Sequence, residues 1–298
     1  PPGCHIHLQR QTREQVLQGL RTLTAQNWRR MKTELQAHVA LRGRASVSLA
    51  GFLHDQALEL EDVSRASNGS GRSGWTNLKR EAGLIVAEPG TEEEYFSRRF
   101  AGLLHVDDSC RLDAIGSVAR DWVEARQEAS KASTTVQMLA YQIDGRYDQK
   151  GSAGAFVDRL HGQQGIADEL RELAALLQAR TTLPAMPLPG MEDTPLVLHA
   201  SYGIREVLTA VGWLTANRRN PFQAGVLALP ARRTELLFVT LDKSEGYHDR
   251  IAYHDYAISA ERFHWQTQNS AGPDTLAGRR YLHSAPEGWK YQLFVRVR

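Results

Sequence analysis

Between Thr181 and Pro195 the chain changes its periodicity, and no other feature limits its folding as much. The run Leu183-Pro184-Ala185-Met186-Pro187-Leu188-Pro189-Gly190 cannot continue a helix, because each proline lacks an N–H and clashes with the preceding turn; it reads as a connection between domains. Before it, apolar residues recur at three- and four-residue spacing, and after it they fall into short β-type runs. The expected architecture is α+β: an N-terminal all-helical domain followed by a smaller mixed α/β domain with a central sheet. The expected limits are 1–45 for a long junction helix, 46–190 for a helical domain with room for a helix-turn-helix, and 191–298 for the α/β domain.

The helical expectations rest on caps and faces. Val16, Leu17, Leu20, Leu23, Trp28, Met31 and Leu35 predict one long amphipathic helix, opened by the Thr12/Gln15 capping spacing. Ser48 is expected to open a helix carrying Leu49, Phe52 and Leu53, Ser73 one over 76–82, Thr91 with Glu94 another, and Asp108 one running through Trp122. Ile166, Leu170, Leu173 and Leu177 form a further face, and Ile204 to Trp213 reads as a helix. Strands are expected at 225–229, 235–241, 252–258, 279–283 and 291–297. The unbroken run Leu236-Leu237-Phe238-Val239 suits a central strand, whereas the alternation from Tyr291 onward suits a half-exposed one.

Composition narrows the function classes. Lys and Arg (36) nearly balance Asp and Glu (34), so any anionic partner must be met by local patches. Two cysteines, Cys4 and Cys110, provide no thiolate zinc spacing and no disulfide framework, which fits a reducing cytosol. No apolar run is long enough to cross a membrane and no signal peptide opens the chain, so a cytoplasmic location is expected. Pro1-Pro2-Gly3 without a methionine, and a stop inside an alternating run, lead to the expectation that the chain is part of a longer one and that its last domain continues past Arg298.

Three groups of residues carry candidate chemistry. Gly69-x-Gly71-x-x-Gly74 matches a dinucleotide fingerprint in letters, but a helix precedes it where a strand is required, so it reads as a flexible loop. Arg65, Arg72, Lys79 and Arg80 bracket Trp75 with no intervening acid, a composition suited to a phosphate backbone; the alternative is that Trp75 fills a small helical core while the cations are solvated. The densest polar-aromatic stretch runs from Asp242 to Gln268, where Lys243, Tyr256, His264, Trp265, Gln266 and Gln268 combine flat rings with hydrogen-bonding edges, as readers of flipped or single-stranded bases do. Alternation in a strand would place Phe263 and Trp265 inward without any function. Arg279 and Arg280 begin a basic stretch to Arg298. Scattered histidines match no zinc signature, and Glu206, Asp242, Lys243 and Glu245 are raw material for a metal-dependent nuclease, although Leu241 stands two places before Lys243, where an acid-x-Lys strand would need a carboxylate.

The runs Leu236 to Glu245, Asp255 to Ser259 and Phe263-His264-Trp265-Gln266-Thr267-Gln268 resemble an uncharacterised bacterial domain family. That family is appended to the C-terminal end of superfamily II (DEAD/DEAH-type) helicases, often with a phospholipase-D-like nuclease domain at the front. The family's phrase usually ends Gln-Ser-Gln, and Thr267 here keeps the hydroxyl. The resemblance implies a nucleic-acid-handling machine of restriction, repair or phage defence, with DNA and the helicase core of the same polypeptide as partners and no membrane. It implies no cofactor in this stretch, ATP and magnesium belonging to the helicase. The expected function is accessory DNA recognition, with the helical domain on phosphates and the α/β domain reading a base, an end or a modified nucleotide. The rival expectations are a metal-dependent nuclease and an autoinhibitory module docking on the helicase.

Overall fold

The computed structural model describes residues 28–66, 72–130, 133–144, 152–215, 225–241, 255–259, 261–267, 271–283 and 288–296. The expected start of the first helix, Thr12 to Asn27, lies outside them, as do Lys243, Gln268, Asp242, Glu245 and the side chain of Arg65. The chain divides into two compact units, one ending at Arg219 and one beginning at Asn220. It is α+β, with helices in the first and a small mixed sheet in the second.

Unit 1 is a stack of short helices whose apolar faces the sequence had spaced for it. They are α1 (Trp28–Arg42), α2 (Leu49–Gln56), α3 (Leu60–Arg65), α4 (Trp75–Glu81), α5 (Glu93–Arg99), α6 (Ser109–Arg120), α7 (Trp122–Ser130), α8 (Thr134–Ile143), α9 (Ala153–His161), α10 (Ile166–Arg180) and α11 (Ile204–Ala210). Helix α10 packs on α6, and Ile166, Leu170, Leu173 and Leu177 of the one and Leu112, Ile115 and Val118 of the other are all buried. Helix α11 packs on α8. Ser48 caps α2 by accepting a hydrogen bond from Gly51 N (3.1 Å), and Asp108 caps α6 by accepting one from Arg111 N (2.9 Å), as expected. The helix from Asp108 stops at Arg120 instead of reaching Trp122, and a new one begins at Trp122.

Two expected caps are replaced. Ser73 does not cap α4, whose N-cap is Gly74; the orphan N–H groups of Trp75 and Thr76 instead donate to the two carboxylate oxygens of Glu169, each at 2.9 Å, from a helix 94 residues away in sequence. Thr91 does not cap α5, because Glu92 takes the N-cap position; Glu92 is held by Arg159 (2.8 Å) and by Gln163, whose Oε1 accepts from Glu92 N (3.1 Å). In both cases a long-range partner outcompetes the local signal. The proline-rich stretch folds within unit 1: Pro187 and Val197 form an antiparallel bridge, and Leu188, Met191, Leu196 and Val197 are buried.

Unit 2 contains β1 (Val226–Leu229), β2 (Thr234–Thr240), β3 (Tyr256–Ala257), β4 (Phe263–His264), α12 (Leu276–Leu282) and β5 (Lys290–Arg296). The main sheet has the order β1-β2-β5, antiparallel between β1 and β2 and parallel between β2 and β5. The apolar run Leu236 to Val239 is thus central, and Phe238 stacks on its register partner Phe294 at 5.3 Å. Of residues 279–283, expected as a strand, Arg279 to Leu282 belong instead to α12 and His283 is its C-cap. The helix is opened by Thr275, whose hydroxyl accepts from Gly278 N (3.0 Å), and a helix suits a parallel pair because β2 and β5 need a crossover between them. Among the described residues no helix is long and apolar enough to cross a membrane.

Candidate functional site

In unit 1 the segment around Trp75 is built inward. Trp75 is 1 % exposed, its ring stacks on Phe52 at 5.5 Å, and its indole N–H donates to Glu172 (3.2 Å), so neither face is open to a base. Lys79 lies over the same ring (5.5 Å) and pairs with Glu172 (3.5 Å), while Arg80 grips the buried carboxylate of Glu93, its Nε at 2.9 Å from Oε1. Two of the expected phosphate-binding cations are therefore half-buried and committed to carboxylates within the unit. Arg72, half-buried, immediately precedes the bend at Ser73 and Gly74.

Gly74 is needed here for two reasons. Its φ of +88° lies in the region that penalises a side chain, and a Cβ would collide with Ser97 Oγ. The third glycine of the Gly69-x-Gly71-x-x-Gly74 run thus lets α4 approach Glu169 and Ser97, whose hydroxyl hydrogen-bonds the same carboxylate. Burial pushes the Glu169 carboxyl above its usual range, opposed by the hydrogen bonds from Thr76, Ser97 and Trp75. A cavity of about 20 Å³ beside Glu169, Trp75 and Ser97 has room for about one water and none for a base.

A second buried polar network in unit 1 takes up Glu206, which the sequence offered as nuclease raw material, in ion pairs that leave it no metal-binding role. Arg111 lies over the Tyr202 ring (4.0 Å), pairs with Asp108, and donates to Glu206 Oε1 (2.8 Å) and to the Ser201 carbonyl (2.7 Å). Glu206 Oε2 is 2.6 Å from His105 Nε2. Burial would raise the Glu206 carboxyl, but the His105 hydrogen bond and the Arg111 charge outweigh it and hold it below its ordinary value. The network ties residues 201–206 to the start of α6, and only the spatial approach of segments 90 or more residues apart creates it.

Unit 2 gathers aromatic side chains and keeps part of them open. Tyr256 and His264 are directly opposed on the β3–β4 ladder; their rings are nearly parallel (13°) with centroids 4.8 Å apart, and Tyr256 is 52 % exposed. Alternation along β4 turns the next residue, Trp265, the other way, where its half-buried ring meets Tyr281 of α12 edge-on at 5.0 Å. Gln266 is exposed, and its backbone N–H donates to Asp255 (2.9 Å), which closes the hairpin. Arg279 is exposed, whereas Arg280 lies over the Trp289 ring (4.9 Å) and donates to the fully buried Glu235 (2.6 Å). Burial, then the Glu235 charge, pushes the Tyr281 phenol well above its ordinary value, so the ring is a neutral wall. Of the residues expected to read a base, Tyr256, His264, Trp265 and Gln266 thus share one hairpin, while Arg280 braces the strand beneath α12.

Among the described residues there is no group of three or more His, Cys, Asp or Glu side chains able to hold a metal ion. No curated protein and no solved structure matches the chain. Residues 196–298 match the model of an uncharacterised family, described as a domain of unknown function (DUF3427), and this stretch takes in helix α11 of unit 1 together with all of unit 2.

Proposed function

We propose that this chain is a DNA-recognition region in which unit 2 supplies the base-contacting surface. The observation that carries the reading is the Tyr256–His264 pair, two nearly parallel rings stacked on each other from opposite strands, both residues exposed. A base stacked on such a platform gains about 1–3 kcal/mol with little regard to its identity. Among the described residues of unit 2, cations outnumber carboxylates. The described part of unit 2 has Arg232, Arg233, Arg262, Arg279, Arg280, Lys290 and Arg296 against Glu235, Asp255, Glu261 and Asp274, and Glu235 is already neutralised by Arg280.

In this reading Tyr256 and His264 stack, Gln266 reads a polar edge beside them, and Arg262, Arg279 and Lys290 meet phosphates. Trp265 positions β4 by packing on Tyr281. The resemblance of Phe263 to Gln268 to domains appended to helicases supports DNA as the polymer. ATP and magnesium would then serve a helicase core of the same polypeptide, in restriction or phage defence.

The test is fluorescence anisotropy with labelled duplex, single-stranded, end-bearing and base-modified DNA over a salt series. Tyr256→Ala combined with His264→Ala should weaken binding to the preferred DNA by about 5- to 150-fold, the equivalent of one stacked base. A parent chain that binds none of the DNAs overturns the reading, and an unchanged double variant removes the hairpin from it.

A further inference from the structure

Helix α1 of the helical unit carries a run of cations, and it is a different helix from the one the sequence singles out. Between Trp28 and Ser48 stand five of them (Arg29, Arg30, Lys32, Arg42 and Arg44) against one carboxylate, Glu34. Helix α1 buries Trp28, Met31, Leu35 and His38, which leaves Arg29, Arg30, Thr33, Gln36, Ala37 and Ala40 exposed on the other side. Arg30 is paired with Glu34 and Arg42 with Asp55, both while 61 % exposed; among the described residues Arg29 and Lys32 have no ion-pair partner. Arg44, in the 3-10 turn after the helix, donates to the Gly83 carbonyl (2.7 Å) at the end of α4, which holds its charge in place without neutralising it.

We propose that the outward face of α1, with the turn that follows it, is a second polyanion-binding surface of this chain and lies against the phosphate backbone of duplex DNA. The proposal rests on the DNA reading above and adds to it a surface in unit 1. Fifteen residues make a helix about 22 Å long, and along that length a duplex presents a phosphate charge about every 1.7 Å. Cations at both ends, with Thr33, Gln36, Ala37 and Ala40 between them, make a rod with small side chains that the major groove, about 12 Å wide, admits closely. The same face suits a membrane poorly. Leu41 is exposed, but Trp28, Met31 and Leu35 are turned into the core, so the helix has no apolar stripe to insert among acyl chains.

The experiment compares the full chain with Arg29→Gln/Lys32→Gln, and with Gln36→Glu/Ala40→Glu, which adds negative charge to the face while every cation stays. Each is titrated with duplex DNA across a salt series. Removing two phosphate contacts should lower the slope of log Kd against log salt by about 1.8, and the added acids should weaken binding in low salt more than in high salt. The Tyr256→Ala/His264→Ala variant should lose affinity and keep the parent slope. A parent chain that binds DNA while Arg29→Gln/Lys32→Gln retains its slope overturns this inference and leaves the unit 2 reading standing; a parent that binds no DNA sinks both. Binding to phosphatidylserine vesicles that only the parent shows, with DNA slopes unchanged, would make the surface a membrane contact and also overturn it. Thermal melts of the variants coinciding with the parent exclude unfolding as the cause.

Discussion

Trp75 and Trp265 stand in segments of similar composition, each a tryptophan with arginine close by, yet the molecule treats them in opposite ways. Around Trp75 polar groups are taken up within the unit: the indole reaches Glu172, Lys79 pairs with that same carboxylate, and the helix begins on Glu169. Around Trp265 the packing is one-sided, with Tyr281 against one ring edge while the neighbouring Tyr256 and His264 remain open. The difference lies in what surrounds each segment. Unit 1 places the buried Glu93 of α5 and the half-buried Glu172 of α10 where they receive the cations, whereas the hairpin of unit 2 is two residues wide on each strand and has a second face with little packed on it. A cluster of arginine and tryptophan in a sequence is therefore a statement about composition until the location of the nearest acids is known.

The largest effect that would break this comparison is a stability change. Trp75→Ala should cost about 3–5 kcal/mol in urea unfolding, as expected for a fully buried aromatic that leaves a cavity against Phe52, and Trp265→Ala well under half of that. Equal costs would mean that the two tryptophans do the same work. Next in size, Glu169→Ala should lose about 2–4 kcal/mol, because two buried N–H groups at the start of α4 are left without an acceptor. Glu169→Gln, which retains one acceptor oxygen, should lose less.

The pH dependence sharpens the comparison within unit 1. The folded-state value of Glu169 is raised, so its contribution to stability is full below the ordinary glutamate range and declines as pH rises through the raised value. Glu206 is lowered, so its contribution is full above the ordinary range and declines as pH falls through the lowered value. Urea midpoints measured against pH should therefore lose the neutral-side decline in Glu169→Gln and the acid-side decline in Glu206→Gln. The smallest expected change is in Tyr256→Ala, under about 1 kcal/mol of stability, since its ring is more than half exposed. A large loss there would show that the hairpin rings are core.

Local signals carried much of the architecture. Ser48 and Asp108 act as the caps their spacing suggests, the α10 face is buried as its period requires, and the run Leu236 to Val239 is the central strand. Local signals failed where a distant group offered a better bond: Glu169 displaced Ser73 at α4, and Arg159 and Gln163 set the start of α5 at Glu92. Residues 279–283 failed differently. They are expected as a strand, but Thr275 and the parallel crossover select a helix.

What the sequence determined by itself is the alternation of periods, and with it an all-helical part followed by a small sheet, because burying a 3.6-residue or a two-residue repeat requires only the repeat. What only the tertiary structure decided is which charges remain available to a partner. Lys79 and Arg80 are neutralised by carboxylates brought from other helices, while Arg29, exposed, and Lys32, half-buried, have no ion-pair partner among the described residues, since an electrostatic field depends on distances through space that no spacing along the chain records.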